Sequence, residues 1–188
     1  METLQHPGIG YCPLDLHRAE IGAIESGPSL PPIALHRIPL RKDDLALTAR
    51  CCQAEKWPKF LTLAAEEIGL ECSPAEQENW LQALRDFSVA HHATELNLRL
   101  EVQVGLGCSK FHVDTLVCRF LLILAGPPTR LRHPEQIEEW QASPGKALWL
   151  KGKLHSDYAP GLEHASPRAS PRSPRLLLVA DLCASEHK

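Results

Sequence analysis

Between Glu95 and Val104 the chain alternates without a break: Leu96, Leu98, Leu100, Val102 and Val104 are apolar, while Asn97, Arg99, Glu101 and Gln103 between them are polar. Only a strand sends successive side chains to opposite faces, so this segment predicts a strand with one face in a core and one polar face. Such a strand needs ladder partners and a covering layer. Residues 116–124, apolar on both faces, Ala147–Lys151, 161–165 and Arg175–Leu182 supply partner strands, and 111–115 adds a further short one. Gly126, Pro127, Pro128 and Thr129 end the apolar strand in a turn, and residues 134–141 read as a short helix or turn.

The covering layer comes from upstream. Trp57, Phe60, Leu61, Ala64 and Ile68 recur at helical spacing within 55–70, and residues 41–52 read as a helix before them. Ser73, Pro74, Ala75 and Glu76 make a capping box with proline in the first turn, after which Trp80, Leu84, Phe87 and His91 fall on one stripe. Residues 33–38 suit a short strand. Prolines and glycines are dense before that, so residues 1–32 are expected to form an irregular arm, 33–94 the helical part and 95–188 a jelly-roll metal-binding core. Helices followed by six or seven short strands predict an α+β fold, with the N-terminal helices packed on a double-stranded β-helix, a jelly-roll or cupin-like barrel.

Composition narrows the function classes. A chain of 188 residues, 44% hydrophobic, suits one domain with one sizeable core. A formal net charge of −3 gives no general attraction to nucleic acid or to an anionic membrane, and the longest apolar run, Phe120 to Ala125, is too short to span a bilayer. The expected partner is therefore a small-molecule or peptide substrate. Seven cysteines without regular spacing, and no basic-then-apolar leader pattern, fit reduced thiols in a cytoplasm. Cys12, Cys51, Cys52, Cys72 and Cys183 show no partner spacing, and Cys118 reads as core.

Chemistry concentrates around His112 and Asp114. Two apart on a strand, they point to one face while Phe111 and Val113 pack the other way. His164, near the start of a late strand, is placed to add a second imidazole from across the barrel. Two neutral imidazoles and a monodentate carboxylate form the 2-His-1-carboxylate face that suits Fe(II) and leaves coordination positions open. Arg175 begins the next strand, and a guanidinium there would pair with the far carboxylate of a small dicarboxylic co-substrate. Cys108, four residues before His112, offers a thiolate that would favour zinc instead. A plainer account makes Cys108 a small apolar residue beside Gly105 and Gly107, Arg175 a strand-end surface residue and the histidines scattered surface groups. Arg119 is a charge in an apolar strand and needs a partner or a cavity, whereas Asp181 is expected in solvent. His91 and His92 suit capping of a helix C-terminus, His133 and His155 a pocket mouth. Arg168 and Arg172, in the Ser-Pro-Arg repeat, belong either to a solvated insertion or to a lid.

The order His112-x-Asp114, His164, Arg175 resembles the double-stranded β-helix oxygenases that use Fe(II) and 2-oxoglutarate. That resemblance implies 2-oxoglutarate held by Arg175 and hydroxylation or demethylation of a bound substrate. The C-terminal half is also similar to a bacterial family of unknown function with a Cys-x-x-Phe-His-x-Asp core, a Gly-Pro-Gly-Thr turn and a late His-Arg-Ser-Pro segment. Here Phe111-His112-Val113-Asp114, Ala125-Gly126-Pro127, Leu148-Trp149-Leu150-Lys151-Gly152, His164-x-Ser166-Pro167 and Arg175-Leu176-Leu177-Leu178 carry the likeness. Pro128 stands where that family has glycine, and Ala165 where it has arginine. Its members accompany zinc-responsive genes and metallochaperone GTPases, which implies metal homeostasis and a protein partner in it. Two functions follow as expectations: an Fe(II)- and 2-oxoglutarate-dependent oxygenase, or a non-catalytic zinc-binding protein.

Overall fold

The computed structural model describes residues 23–26, 30–38, 41–105, 107–134, 138–142, 145–158 and 162–183. Nine strands and two helices occupy them: β1 (Ala23–Ser26), β2 (Leu45–Gln53), α1 (Trp57–Ile68), α2 (Pro74–Ala90), β3 (Glu95–Gln103), β4 (Cys118–Ala125), β5 (Arg130–Arg132), β6 (Glu139–Gln141), β7 (Ala147–Lys151), β8 (Glu163–Ala165) and β9 (Arg175–Leu182). The strands make two antiparallel sheets, one ordered β1-β7-β4-β9-β3-β2 and one ordered β6-β5-β8.

The alternation in β3 decides how the layers stack. Leu96, Leu98, Leu100 and Val102 are fully buried and pack with Trp57, Leu61 and Ile68 of α1 and with Trp80, Leu84 and Phe87 of α2. The other face of the large sheet looks at the small one, where Leu121, Ile123, Leu148, Leu150, Leu177 and Val179 meet Leu131, Ala142 and Leu162. β4 and β9 are apolar on both sides because they lie between the helices and the second sheet. A one-residue slip of β3 would carry its four apolar side chains into the polar layer, each losing about 1.5–3 kcal/mol of burial.

Several expectations change. Residues 45–53, all but the last within the segment 41–52 expected to be helical, form β2, which pairs with β3 through Leu45↔Val102, Leu47↔Leu100 and Ala49↔Leu98. Leucine and alanine favour helices locally, but β3 offers a ladder, along which Leu45, Leu47, Ala49 and, past the bulge, Cys52 face the core. The expected strand at 33–38 is instead a single 3-10 turn at Leu35–Arg37. Within the expected irregular arm, Ala23–Ser26 pair with β7, while residues 1–22 and 27–29 lie outside those described. Residues 111–115 make one isolated bridge rather than a strand, and Glu139–Gln141 is a strand in place of the expected helix or turn. Among the described residues, no helix is long and apolar enough to cross a membrane.

The capping box forms as expected. Ser73 Oγ accepts from the Glu76 N–H at 3.2 Å, and the Ser73 N–H donates to Glu76 Oε2 at 2.8 Å. Arg37 adds a bond of 2.7 Å to Glu76 Oε1. The hydrogen bond from Arg37 first, and those from Ser73 after it, hold the Glu76 carboxyl at about 2 against the opposing effect of burial. Its pKa is thus depressed in the folded chain, so its stabilisation is complete above the ordinary value of 4.5 and drains away as pH falls toward about 2. Because the guanidinium is a third exposed, Arg37→Met is expected to lose only about 1 kcal/mol at neutral pH. Urea midpoints measured at pH 7 and pH 2 should show that gap closing at the lower pH.

Candidate metal centre

His112 and His164 face each other as an antiparallel bridge. The His112 N–H donates to the His164 carbonyl at 3.0 Å, and the His164 N–H returns a bond of 2.9 Å. This pins two segments far apart in sequence, and the imidazole rings stack obliquely with centroids 4.4 Å apart. Asp114 follows two residues after His112, its own carbonyl accepting from the Lys153 N–H at 2.9 Å. His164 Nε2 lies 3.2 Å from Asp114 Oδ2, and His112 Nε2 lies 3.6 Å from Asp114 Oδ1. One donor atom from each of the three residues falls within 4.8 Å of the others. Donors on one face of an octahedral ion stand about 3 Å apart, so small side-chain adjustments suffice to close on one.

The surroundings set the form of each donor. His112 Nδ1 lies 2.9 Å from the Lys110 carbonyl, which can only accept, so that nitrogen carries a hydrogen and Nε2 is the nitrogen left for a metal. The Cys108 sulfur meets this same Nδ1 at 3.6 Å, on the side of the ring turned away from Asp114, and does not join the three-donor cluster. Burial alone would raise the Asp114 carboxyl; the His164 contact, the Arg119 charge and the imidazoles outweigh it and bring it to about 2. Asp114 is therefore ionised throughout the physiological range.

Arg119 ties this carboxylate to the sheet. Its Nη1 donates to Asp114 Oδ2 at 2.7 Å, while Nε and Nη2 grip Asp181 Oδ1 and Oδ2 at 2.6 and 2.8 Å. Asp181 is the ladder partner of Arg119 and only 16% exposed, not the expected solvated strand end. Arg119 thus has the partner its apolar strand demanded. With Oδ2 held by Arg119, Oδ1 is the freer oxygen of Asp114, which suits single-oxygen ligation.

Residues 48–181 match the family described as "Protein of unknown function (DUF1826)". The chain belongs to that family. The match starts well before the C-terminal half that carried the resemblance and takes in most of β2 and both helices of this DUF1826 chain. No curated protein matches by sequence. Among solved structures the chain is similar to a Pseudomonas putida prolyl-4-hydroxylase, with 13% identity over 74% of this chain and 85% of that one and a TM-score of 0.46. It is also similar to the viral collagen prolyl hydroxylase of Paramecium Bursaria Chlorella virus-1, at 13% identity, 75% and 90% coverage and a TM-score of 0.40. A full-length Neurospora crassa protein crystallised in complex with alpha-KG aligns at 14% identity over 50% of this chain, with a TM-score of 0.39. This chain spans only 38% of that fungal protein.

Arg175 of this DUF1826 chain is not a surface residue. It is 1% exposed, its Nη1 donates to Gln103 Oε1 at 3.3 Å, its Nη2 donates to Thr129 Oγ1, and among the described residues Nε has no partner. Burial pushes the guanidinium down to about 10, and Glu101 offsets only part of that. Among the described residues no carboxylate forms an ion pair with it, so a charged group is buried on neutral partners alone. Thr129 lies two positions before Leu131, the ladder partner of His164. The guanidinium is thereby held at the start of β5, the strand that pairs with the one carrying His164. Gly126 makes this seat possible: its φ is +86°, and a Cβ there would stand 2.8 Å from the Arg175 Cα.

Other candidates settle elsewhere. His91 takes the C-cap position of α2 as expected, but its ring packs on Phe87 at 4.7 Å and near Trp149 at 5.8 Å, and burial lowers its pKa, against the charged form expected there. Phe111 turns away from the centre under Arg130 and Arg132, 4.8 and 4.2 Å from its ring. Cys118 is core as expected, its thiol pushed up to about 12 by burial. His155 Nδ1 accepts from the Asp157 N–H at 3.1 Å. Arg168 and Arg172 are exposed around a tight turn closed by Ser170 and Ser173.

Proposed function

We propose that the chain is a small Fe(II)- and 2-oxoglutarate-dependent oxygenase built on a jelly-roll core, with His112, Asp114 and His164 as the metal ligands and Arg175 as the co-substrate anchor. The observation that carries this reading is the clustering of two imidazole nitrogens and one ionised carboxylate within 4.8 Å of one another. The donor set is that of a non-haem Fe(II) centre, three protein ligands on one face with the remaining positions open. Bound there, Fe(II) supplies activation of O₂ for oxidation of a C–H bond. The protein's part is positional. The Lys110 carbonyl fixes the tautomer of His112, Arg119 orients the Asp114 carboxylate, and Arg175 receives the distal carboxylate of 2-oxoglutarate as the anion its burial lacks. The polar face of β3 points into the same layer through Arg99, Glu101 and Gln103, and we assign substrate contact to it. Zinc held through Cys108 is the weaker reading, since that sulfur approaches the protonated nitrogen of His112.

Anaerobic addition of Fe(II) and then 2-oxoglutarate to the metal-free chain is expected to develop a weak visible charge-transfer band. Admission of air should then yield succinate slowly, even without a primary substrate. Absence of both signals from protein that binds Fe(II) would remove the oxygenase assignment.

A further inference from the structure

We infer that Cys51, Glu95 and Cys183 form a second metal site, one for a soft divalent cation such as Zn²⁺, separate from the histidine centre and independent of the function proposed for it. No sequence spacing joins the two cysteines; the sheet does. Cys51 lies in a β-bulge of β2, where the register shifts between Ala49 and Cys52, and its φ of +42° turns it out of the regular ladder. The bulge is held by the Cys51 N–H donating to Asn97 Oδ1 at 2.9 Å. Glu95 begins β3, and Cys183 follows Leu182, whose ladder partner is Leu96, the neighbour of Glu95. Three neighbouring strands thus bring two thiols and a carboxylate to one end of one sheet face, with a donor atom from each within 4.8 Å of the others.

The chemistry of this set differs from that of the first centre. Two sulfurs and one oxygen are a borderline-soft donor set that suits zinc, and tetrahedral ligation would bring them to roughly 3.5–3.8 Å apart with a fourth position for water. Both cysteines are free thiols here, and the Cys183 thiol lies against the thiol and the backbone N–H of Cys51. Cys51 is exposed and Cys183 partly so, which leaves an entry path for the ion. Neighbouring Cys52 is buried, and its sulfur lies 3.8 Å from the Gln53 carbonyl, away from the cluster. Metal here would clamp β2, β3 and β9 together at the end where Asp181, two residues before Cys183, anchors Arg119.

Cobalt(II) added anaerobically to the reduced full chain tests this directly, because thiolate ligation gives a near-ultraviolet charge-transfer absorption that histidine and carboxylate ligands do not. The expected result is that absorption at one equivalent of cobalt, preserved in His112→Ala and in Cys108→Ser and lost in Cys51→Ser and Cys183→Ser. Zinc affinity should fall by more than about ten-fold in either cysteine variant. A measurement on the unaltered chain guards against misfolded variants: zinc should protect Cys51 and Cys183, but not Cys108, from alkylation as mapped by peptide mass. No charge-transfer absorption, its persistence without both cysteines, its loss in Cys108→Ser alone, or equal alkylation with and without zinc would each overturn the assignment. Failure of Fe(II) to bind at His112 leaves every one of these readouts unchanged.

Discussion

His164→Ala is expected to weaken Fe(II) binding by more than about 100-fold, measured by equilibrium titration under anaerobic conditions. The benchmark is the loss of an outer hydrogen-bond partner of a metal ligand, which costs about 10- to 100-fold, and removal of a direct donor should exceed it. Arg119→Met supplies that comparison within the same protein. It takes away the bond that orients Asp114 but leaves all three donors, so its loss should fall in the smaller range. The two effects separate ligation from scaffolding. The backbone bonds between His112 and His164 do not depend on the ring, and Asp114 keeps Arg119, so the alanine variant should retain its circular dichroism. Equal Fe(II) affinity in His164→Ala and the unaltered chain would refute the centre as drawn.

Arg175→Met is expected to raise the dissociation constant for 2-oxoglutarate at least about thirty-fold while leaving Fe(II) affinity unchanged. Truncating one member of a buried, hydrogen-bonded charge pair costs about 2 kcal/mol or more, and each 1.4 kcal/mol is about ten-fold. The stability of the unliganded chain should move the other way or stay level. The guanidinium is buried on Gln103 and Thr129 without an acid, so exchanging it for an apolar side chain of similar length relieves a desolvation cost, offset in part by the two donors lost. Retained melting temperature with lost 2-oxoglutarate binding is the signature of a residue kept for a ligand. A variant that melts several degrees lower and binds 2-oxoglutarate as before would mark Arg175 as structural.

Much of the scaffold is legible in local pattern. The period-two run of β3, the helical spacing of α1 and the Ser73 to Glu76 capping box each depend on a few consecutive residues, and each forms. β2 escapes such a reading for a complementary reason: leucine and alanine carry a helical preference worth only tenths of a kcal/mol per residue, and a free edge of β3 outweighs it. At the centre, His112, Asp114 and His164 could be singled out by residue type and order, but what brings them together is the bridge between His112 and His164, not a strand through 111–115. The part played by Asp181 could not be singled out. It depends on which residue of β4 lies opposite it in β9, and register between strands sixty residues apart has no local signature. The same blindness hides the Cys51 and Cys183 pair, which needs a bulge in one strand and the end of another to meet across a third.

The amino-acid sequence alone determined the element types with strong periodicity, the apolar face of β3 and the residue chemistry available for binding a metal, because these follow from side-chain order along a few turns or a few strand residues. Tertiary structure decided which charges are paired, which guanidinium is buried without an anion and which thiols share a face. Those outcomes are set by ladder register and layer stacking, where contacts between distant segments outweigh every local preference.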